Sequence, residues 1–196
     1  SEDGAWFAVL GDVCGKGPEA AALTALARYT IRADADGREP GEVLERLNSA
    51  VLAQVGDMRF LTATCVLLRR GDGHVDGLLA RGGHPPSLIL RADGAVEVLV
   101  PTGPLVGVLA TTHFEETTFR LAAGDALVLF SDGVTEARSP RGELFGVERL
   151  SALLGSHAGA GAGEIARAVD QAVVAFGTRR PRDDVALLVL RAAPAP

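Results

Sequence analysis

The chain has 196 residues, is 47% hydrophobic and carries a formal net charge of -6, which is enough apolar material for one sizeable core. Its basic residues are scattered and Lys16 is the only lysine, which argues against the clustered phosphate-binding surface that a nucleic-acid partner needs. Cys14 and Cys65 match no C-x-x-C spacing, and no apolar run is long enough to span a bilayer, so the expectation is one domain in a reducing, cytoplasmic setting without membrane insertion.

The opening is abrupt, with polar Ser1 to Gly4 leading straight into a strand and no initiating Met, as expected of a piece of a longer chain. Trp6 to Leu10 is a short apolar run that reads as a buried strand ending at Gly11-Asp12. Gly15 and Gly17 make a flexible turn, and Pro18 opens an Ala-rich helix to about Ala33. A second helix is predicted from about Gly41 to Val55, where Val43, Leu44, Leu47, Val51 and Leu52 recur at helical spacing.

From Phe60 the period changes. Phe60 to Leu68 and Val75 to Ala80 flank the turn signal Gly71-Asp72-Gly73, and Ser87 to Leu90 and Ala95 to Val100 flank Asp93-Gly94, giving two hairpins. Phe114 to Leu121 and the apolar Ala126 to Phe130 extend what reads as an antiparallel meander. Two more helices are expected, from about Gly146 to Leu154 and from Gly163 to Phe176, then a last strand over Val185 to Leu190 and a disordered tail over 192–196. Paired helices around a run of antiparallel strands indicate an α+β layered domain.

Three acidic clusters adjoin apolar strands: Asp12 after Val9-Leu10-Gly11, Asp132 after Leu129-Phe130-Ser131, and Asp183-Asp184 before Val185-Ala186-Leu187. Converging on one sheet edge, they would form an oxygen-rich site for hard divalent cations able to activate water against phosphorus. Read singly, each is also an ordinary turn or capping residue. Gly15-Lys16-Gly17-Pro18-Glu19-Ala20 fits a G-x-G-x-x-G/A dinucleotide pattern, but a second helix stands where the parallel strand should follow. A P-loop fits worse, since Leu10 occupies its first glycine position and Gly17 follows Lys16. The four histidines are too far apart in sequence to spell a zinc site, and His84, between Gly83 and Pro85, reads as part of a rigid turn with its imidazole on nearby backbone. Cys14 has no histidine near it in sequence to activate it and reads as loop geometry.

In order along the chain stand GDVCGKG (11–17), Leu47-Asn48, FLTATCVLL (60–68), GGHPP (82–86), GPLVGVL (103–109), LVLFSDGVTEAR (127–138), LFGVERL (144–150) and RDDVALLVL (182–190). Together they resemble the metal-dependent type 2C (PPM) protein phosphatases, in the bacterial SpoIIE/RsbU-like branch, over nearly the whole chain. The resemblance implies a four-layer α-β-β-α sandwich of two antiparallel sheets flanked by helices, forming one phosphatase domain over 1–191. It also implies two Mn²⁺ or Mg²⁺ ions. Asp12 would bridge both, the backbone carbonyl of Val13 would contribute to one, Asp132 and Asp183 would bind the other, and Asp184 would support or share that site. The implied activity is hydrolysis of phosphoserine or phosphothreonine on an anti-anti-sigma-type protein by a metal-activated water, under the control of an upstream PAS- or GAF-type sensor.

Some features depart from the family pattern. An earlier G-G-D motif, on a strand preceding Trp6, is not found; Cys14 stands where many relatives have Ser, and Gly82 where Ala is frequent. No residue is assigned as the leaving-group acid. The missing motif motivates the alternative of a catalytically degenerate, phosphatase-like binding module.

Overall fold

A computed structural model of the chain describes residues 4–54, 60–177 and 184–193. The elements follow the order β1 (Trp6–Val13), α1 (Pro18–Asp34), α2 (Pro40–Gln54), β2 (Leu61–Arg70), β3 (His74–Gly82), β4 (Ser87–Leu90), β5 (Val96–Leu99), β6 (Glu116–Ala122), β7 (Ala126–Phe130), α3 (Asp132–Thr135), α4 (Gly146–Gly155), α5 (Ala162–Phe176) and β8 (Leu187–Arg191). They form two four-stranded sheets, ordered β1-β2-β3-β6 and β5-β4-β7-β8. The fold is thus of the expected α+β class, with antiparallel sheets and flanking helices.

The strands depart from a continuous meander. β6 returns to pair beside β3, and β7 pairs with β4 in the other sheet. The irregular segment between β5 and β6 makes this switch possible, because a two-residue hairpin can join only neighbouring strands. β1 also runs past its apolar residues to Val13, since β2 supplies partners for Gly11, Asp12 and Val13 in Ala63, Thr62 and Leu61. β8 starts at Leu187, two residues later than its apolar run.

The chain divides into two compact units, the first made of Ser1–Arg70, Asp76–His84 and Val100–Phe119, the second of Gly71–Val75, Pro85–Leu99 and Arg120–Pro196. In the first, Leu23 of α1 and Val43, Leu44, Leu47 and Val51 of α2 pack with Leu61, Ala63 and Cys65 of β2. Phe7, Val9 and Val13 of β1 join them, so odd-numbered positions of both strands face the helices. Burial pushes the Cys65 thiol up to about 12, leaving it an inert core residue. In the second unit, Leu88 and Leu90 of β4 and Ala126, Val128 and Phe130 of β7 pack with Leu150 and Leu154 of α4 and Ile165, Val169 and Val173 of α5. Phe145 and Phe176 meet edge to face at 5.3 Å and join the two helices.

One polar network in the second unit is fully used. Asp125 accepts from Arg91 Nη1 at 2.7 Å, from the Ala92 N–H at 2.9 Å and from the Ala122 N–H at 3.0 Å, while Arg91 also grips Glu97 through Nε and Nη2. Burial alone would raise the Asp125 carboxyl, but the Arg91 bond, the two backbone donors and the Arg91 charge outweigh it and hold it below its ordinary value. Ala192, expected in the tail, is buried and brackets the same turn, donating to the Asp125 carbonyl at 2.9 Å and accepting from Gly124 N–H at 2.9 Å. Residues 194–196 lie outside the described set.

Because the folded-state pKa of Asp125 is depressed, its contribution is present above the unfolded carboxyl range near pH 4 and is lost as pH falls through the folded value. Arg91→Met should cost about 2–3 kcal/mol at pH 7, since it leaves a buried carboxylate without its cation. It should also move the acid unfolding midpoint upward, because burial then acts on Asp125 without that compensation. Urea titrations at pH 7 and pH 4 read both effects.

Candidate active site

Asp12 is the seventh of the eight residues of β1, an edge strand in its sheet. Its Oδ1 accepts from the N–H of Val13 at 3.0 Å, and the residue is exposed. Period-two alternation puts its side chain on the face away from α1 and α2, beside Thr62, its direct partner across the ladder. Gly11 before it admits no side chain: a Cβ there would lie 2.6 Å from the Thr62 carbonyl oxygen. On the opposite, helix-facing side, a cavity of about 510 Å³ lies among Phe7, Val9, Ala27, Ile31 and Leu61, with Arg28 and Arg32 also lining it. That space is lined mainly by core side chains, and Asp12 contributes to its wall while its carboxylate belongs to the other face.

Three stretches singled out in the sequence assemble behind Thr62. The Thr62 hydroxyl and His84 Nδ1 are 2.8 Å apart, so the imidazole reaches a side chain in β2, beyond the backbone of its own turn where its bond was expected. Arg81 fixes that turn, donating from Nη1 to the His84 carbonyl at 2.7 Å and from Nε to the Pro101 carbonyl at 3.0 Å. Gly103 packs so tightly that a Cβ would lie 1.8 Å from the Arg81 carbonyl oxygen, and Gly83 adopts φ 63° with Leu105 against it. Val106 pairs with Leu61 through both backbone groups at 3.0 Å. Asn48, buried in α2, spends both ends of its amide on this loop, donating to the Leu109 carbonyl at 2.9 Å and accepting from Gly107 N–H at 2.7 Å. Thr62, Arg81 and Asn48 were not legible as site supports, since each acts across a fold that brings distant segments together.

In the second unit, Asp132 opens α3, a single helical turn. Its Oδ1 is buried and has no hydrogen-bond partner among the described residues. A buried, unpaired carboxylate oxygen is costly and needs an explanation, and the partner that suits it best is a hard cation. Ser131, at the end of β7, ties the chain before β8 to this point: its hydroxyl donates to the Asp184 carbonyl at 3.0 Å and accepts from Ala186 N–H at 2.9 Å. Its own N–H donates to the Ala186 carbonyl at 3.0 Å. The Asp132 and Asp184 segments are therefore neighbours, although their residues are far apart in sequence. Ser131 was missed as a positioning residue because a Ser before Asp-Gly looks like turn composition.

Asp183 lies outside the described residues. Among the described residues no group of three or more His, Cys, Asp or Glu side chains stands ready to hold a metal ion, and no helix is long and apolar enough to cross a membrane. Cys14 is exposed, and its N–H donates to the Phe60 carbonyl at 3.1 Å, extending the β1–β2 pairing by one residue. The dinucleotide reading of Gly15 to Ala20 fails on topology, because α2 follows α1 and both sheets are antiparallel where their pairing is described.

Two four-stranded sheets with flanking helices are the architecture against which known proteins can be compared. The chain belongs to the family described as Stage II sporulation protein E (SpoIIE), whose pattern matches residues 2–193. The crystal structure of the RsbU and RsbW domains of Rv1364c from Mycobacterium tuberculosis is similar at 28% identity and TM-score 0.81, over 99% of this chain and 54% of that one. The SiaA-PP2C domain of Pseudomonas aeruginosa shares the fold at 23% identity and TM-score 0.80, over 96% of this chain and 80% of that one. Protein IcfG of Synechocystis is 29% identical over 174 residues, covering 74% of this chain. The chain spans 27% of the length of that curated relative. It is a SpoIIE-family domain with the fold of a PP2C domain.

Two substitutions test the supports. Ser131→Ala removes a hydroxyl that both donates and accepts, so it should lower stability by about 1–3 kcal/mol and speed hydrogen exchange at Ala186. Asn48→Ala removes a buried amide that pairs the Gly107 N–H and the Leu109 carbonyl and should cost about 1–2 kcal/mol, with faster exchange at Gly107 reporting release of the loop.

Proposed function

We propose that this domain is a divalent-cation-dependent protein serine/threonine phosphatase, removing phosphate from phosphoserine or phosphothreonine on a regulatory protein. The observation that carries the reading is the buried, unpartnered Oδ1 of Asp132 beside the Ser131 clamp on the Asp184 segment. Asp12, the Val13 carbonyl, Asp132 and Asp183 are the groups that would hold Mn²⁺ or Mg²⁺, two ions in all, with Asp184 supporting or sharing one site. Bound cations of this kind supply activation of water at neutral pH and neutralisation of phosphoryl charge.

The protein's own part is to present carboxylates rigidly. Val13 N–H restrains one Asp12 oxygen, Gly11 keeps the approach to the strand clear, and Ser131 holds the chain near Asp184 against the end of β7. Family membership and likeness to an RsbU-containing protein support a phosphorylated anti-anti-sigma-type protein as the substrate. A cytoplasmic location and control by an attached PAS- or GAF-type sensor belong to the same reading.

The test is Mn²⁺-dependent release of phosphate from a serine-phosphorylated anti-anti-sigma protein by the intact protein. Asp12→Ala and Asp132→Asn should each lower turnover at least about 100-fold, since even residues that only support metal ligands are worth 10–100-fold. A folded Asp12→Ala protein with wild-type turnover would overturn the reading, and an intact protein that binds no Mn²⁺ would favour a binding module without turnover.

A further inference from the structure

His84 is 2% exposed, although it stands in a glycine-rich turn where an imidazole ordinarily reaches water. A buried imidazole is costly unless it is hydrogen-bonded, and Nδ1 meets a hydroxyl, Thr62 Oγ1, at 2.8 Å. Thr62 is the residue directly opposite Asp12 in the β1–β2 ladder. Directly opposed residues carry their side chains on one face with Cβ atoms about 4.5–5.5 Å apart, so the Thr62 side chain is the cross-strand neighbour of the carboxylate. Threonine has few χ1 choices in a strand, and a bond from its hydroxyl to a fixed partner selects one of them.

That partner is fixed. Gly83, at φ 63°, is packed on Leu105, and Arg81 locks the His84 carbonyl from the other side. Val13 N–H holds one Asp12 oxygen from the backbone side, and Thr62, directly opposite in the ladder, stands beside the carboxylate on the same face of the sheet.

We propose that His84 is a positioning residue for Asp12, acting through Thr62: the imidazole sets the threonine rotamer, and the threonine sets the orientation in which the carboxylate is offered to a cation. This rests on the reading of Asp12 as a cation ligand. It assigns a site role to the GGHPP turn, which otherwise only ends β3.

The experiment measures Mn²⁺ affinity by titration calorimetry and thermal unfolding, with kcat and KM on a phosphoprotein, for Thr62→Val, Thr62→Ser, His84→Ala and His84→Asn in the intact protein. Thr62→Val keeps shape and loses the hydroxyl. It should weaken Mn²⁺ binding about 10-fold or more and lower kcat with KM little changed, alongside a fall in unfolding temperature from the unpaired imidazole. His84→Ala should weaken Mn²⁺ binding and kcat in the same way while also unfolding earlier because it empties a buried site, the double variant should bind Mn²⁺ no worse than either single one, and Thr62→Ser and His84→Asn should restore affinity, since each keeps a hydrogen-bonding group in place. Wild-type Mn²⁺ affinity and kcat in Thr62→Val would overturn the proposal, as would a His84→Ala protein that unfolds earlier but binds Mn²⁺ normally. Asp12→Ala separates the two readings. If it abolishes Mn²⁺ binding while Thr62→Val does not, only the positioning role falls; if it binds as wild type, the cation-ligand reading falls with it.

Discussion

The register of β1 on β2 is the constraint on which the first unit depends. With Val9 opposite Cys65 and Asp12 opposite Thr62, odd positions supply the apolar face that α1 and α2 cover, and even positions near the strand end carry polar groups on the other face. A slip of one residue would exchange the two sets, driving a carboxylate into the helix-side core and Val9 and Val13 out of it. Core burial and the placement of the acid are thus one choice. The hydrophobic free energy that holds α2 against Leu61, Ala63 and Cys65 also holds Asp12 in position.

The segment between β5 and β6 has no regular structure, yet it is strongly specified. Its backbone groups are satisfied by an isolated bridge to Leu61, by the two ends of the Asn48 amide and by Arg81. Glycines at 82, 83 and 103 let main chains approach where any side chain would collide with Val106, Leu105 or Arg81. A loop so pinned behaves as part of the scaffold, which is the condition for holding a site to a fraction of an ångström. Its order comes from buried polar groups that are paired, and a paired buried amide is worth much more by not being broken than by being made.

Most elements were legible because their periods are strong. α1, α2, α4 and α5 begin and end within a residue or so of their apolar patterns, with Pro18 marking the start of α1. The two hairpins were legible from Gly71-Asp72-Gly73 and Asp93-Gly94. What could not be read was pairing at a distance. Nothing local states that β6 returns to β3 while β7 joins β4, because strand order is decided by which apolar faces can be buried together. For the same reason His84 was misjudged: its neighbours in sequence are glycine and proline, and its partner Thr62 lies 22 positions away.

The sharpest limit concerns two aspartates that flank one strand. Gly124-Asp125 precedes β7 and Ser131-Asp132-Gly133 follows it, and as sequence both are turn signals of the same kind. In the structure they part company. Asp125 has both oxygens engaged by a guanidinium and two backbone donors, so its charge is neutralised within the fold and nothing is left over for a ligand. Asp132 keeps one oxygen buried with no donor among the described residues. A fold gains nothing from such an atom by itself, since the desolvation cost of about 1–3 kcal/mol or more is not offset by any internal bond. The difference between these two carboxylates therefore lies in unmet hydrogen-bonding capacity, a property of packed neighbours that composition, motif and period do not carry.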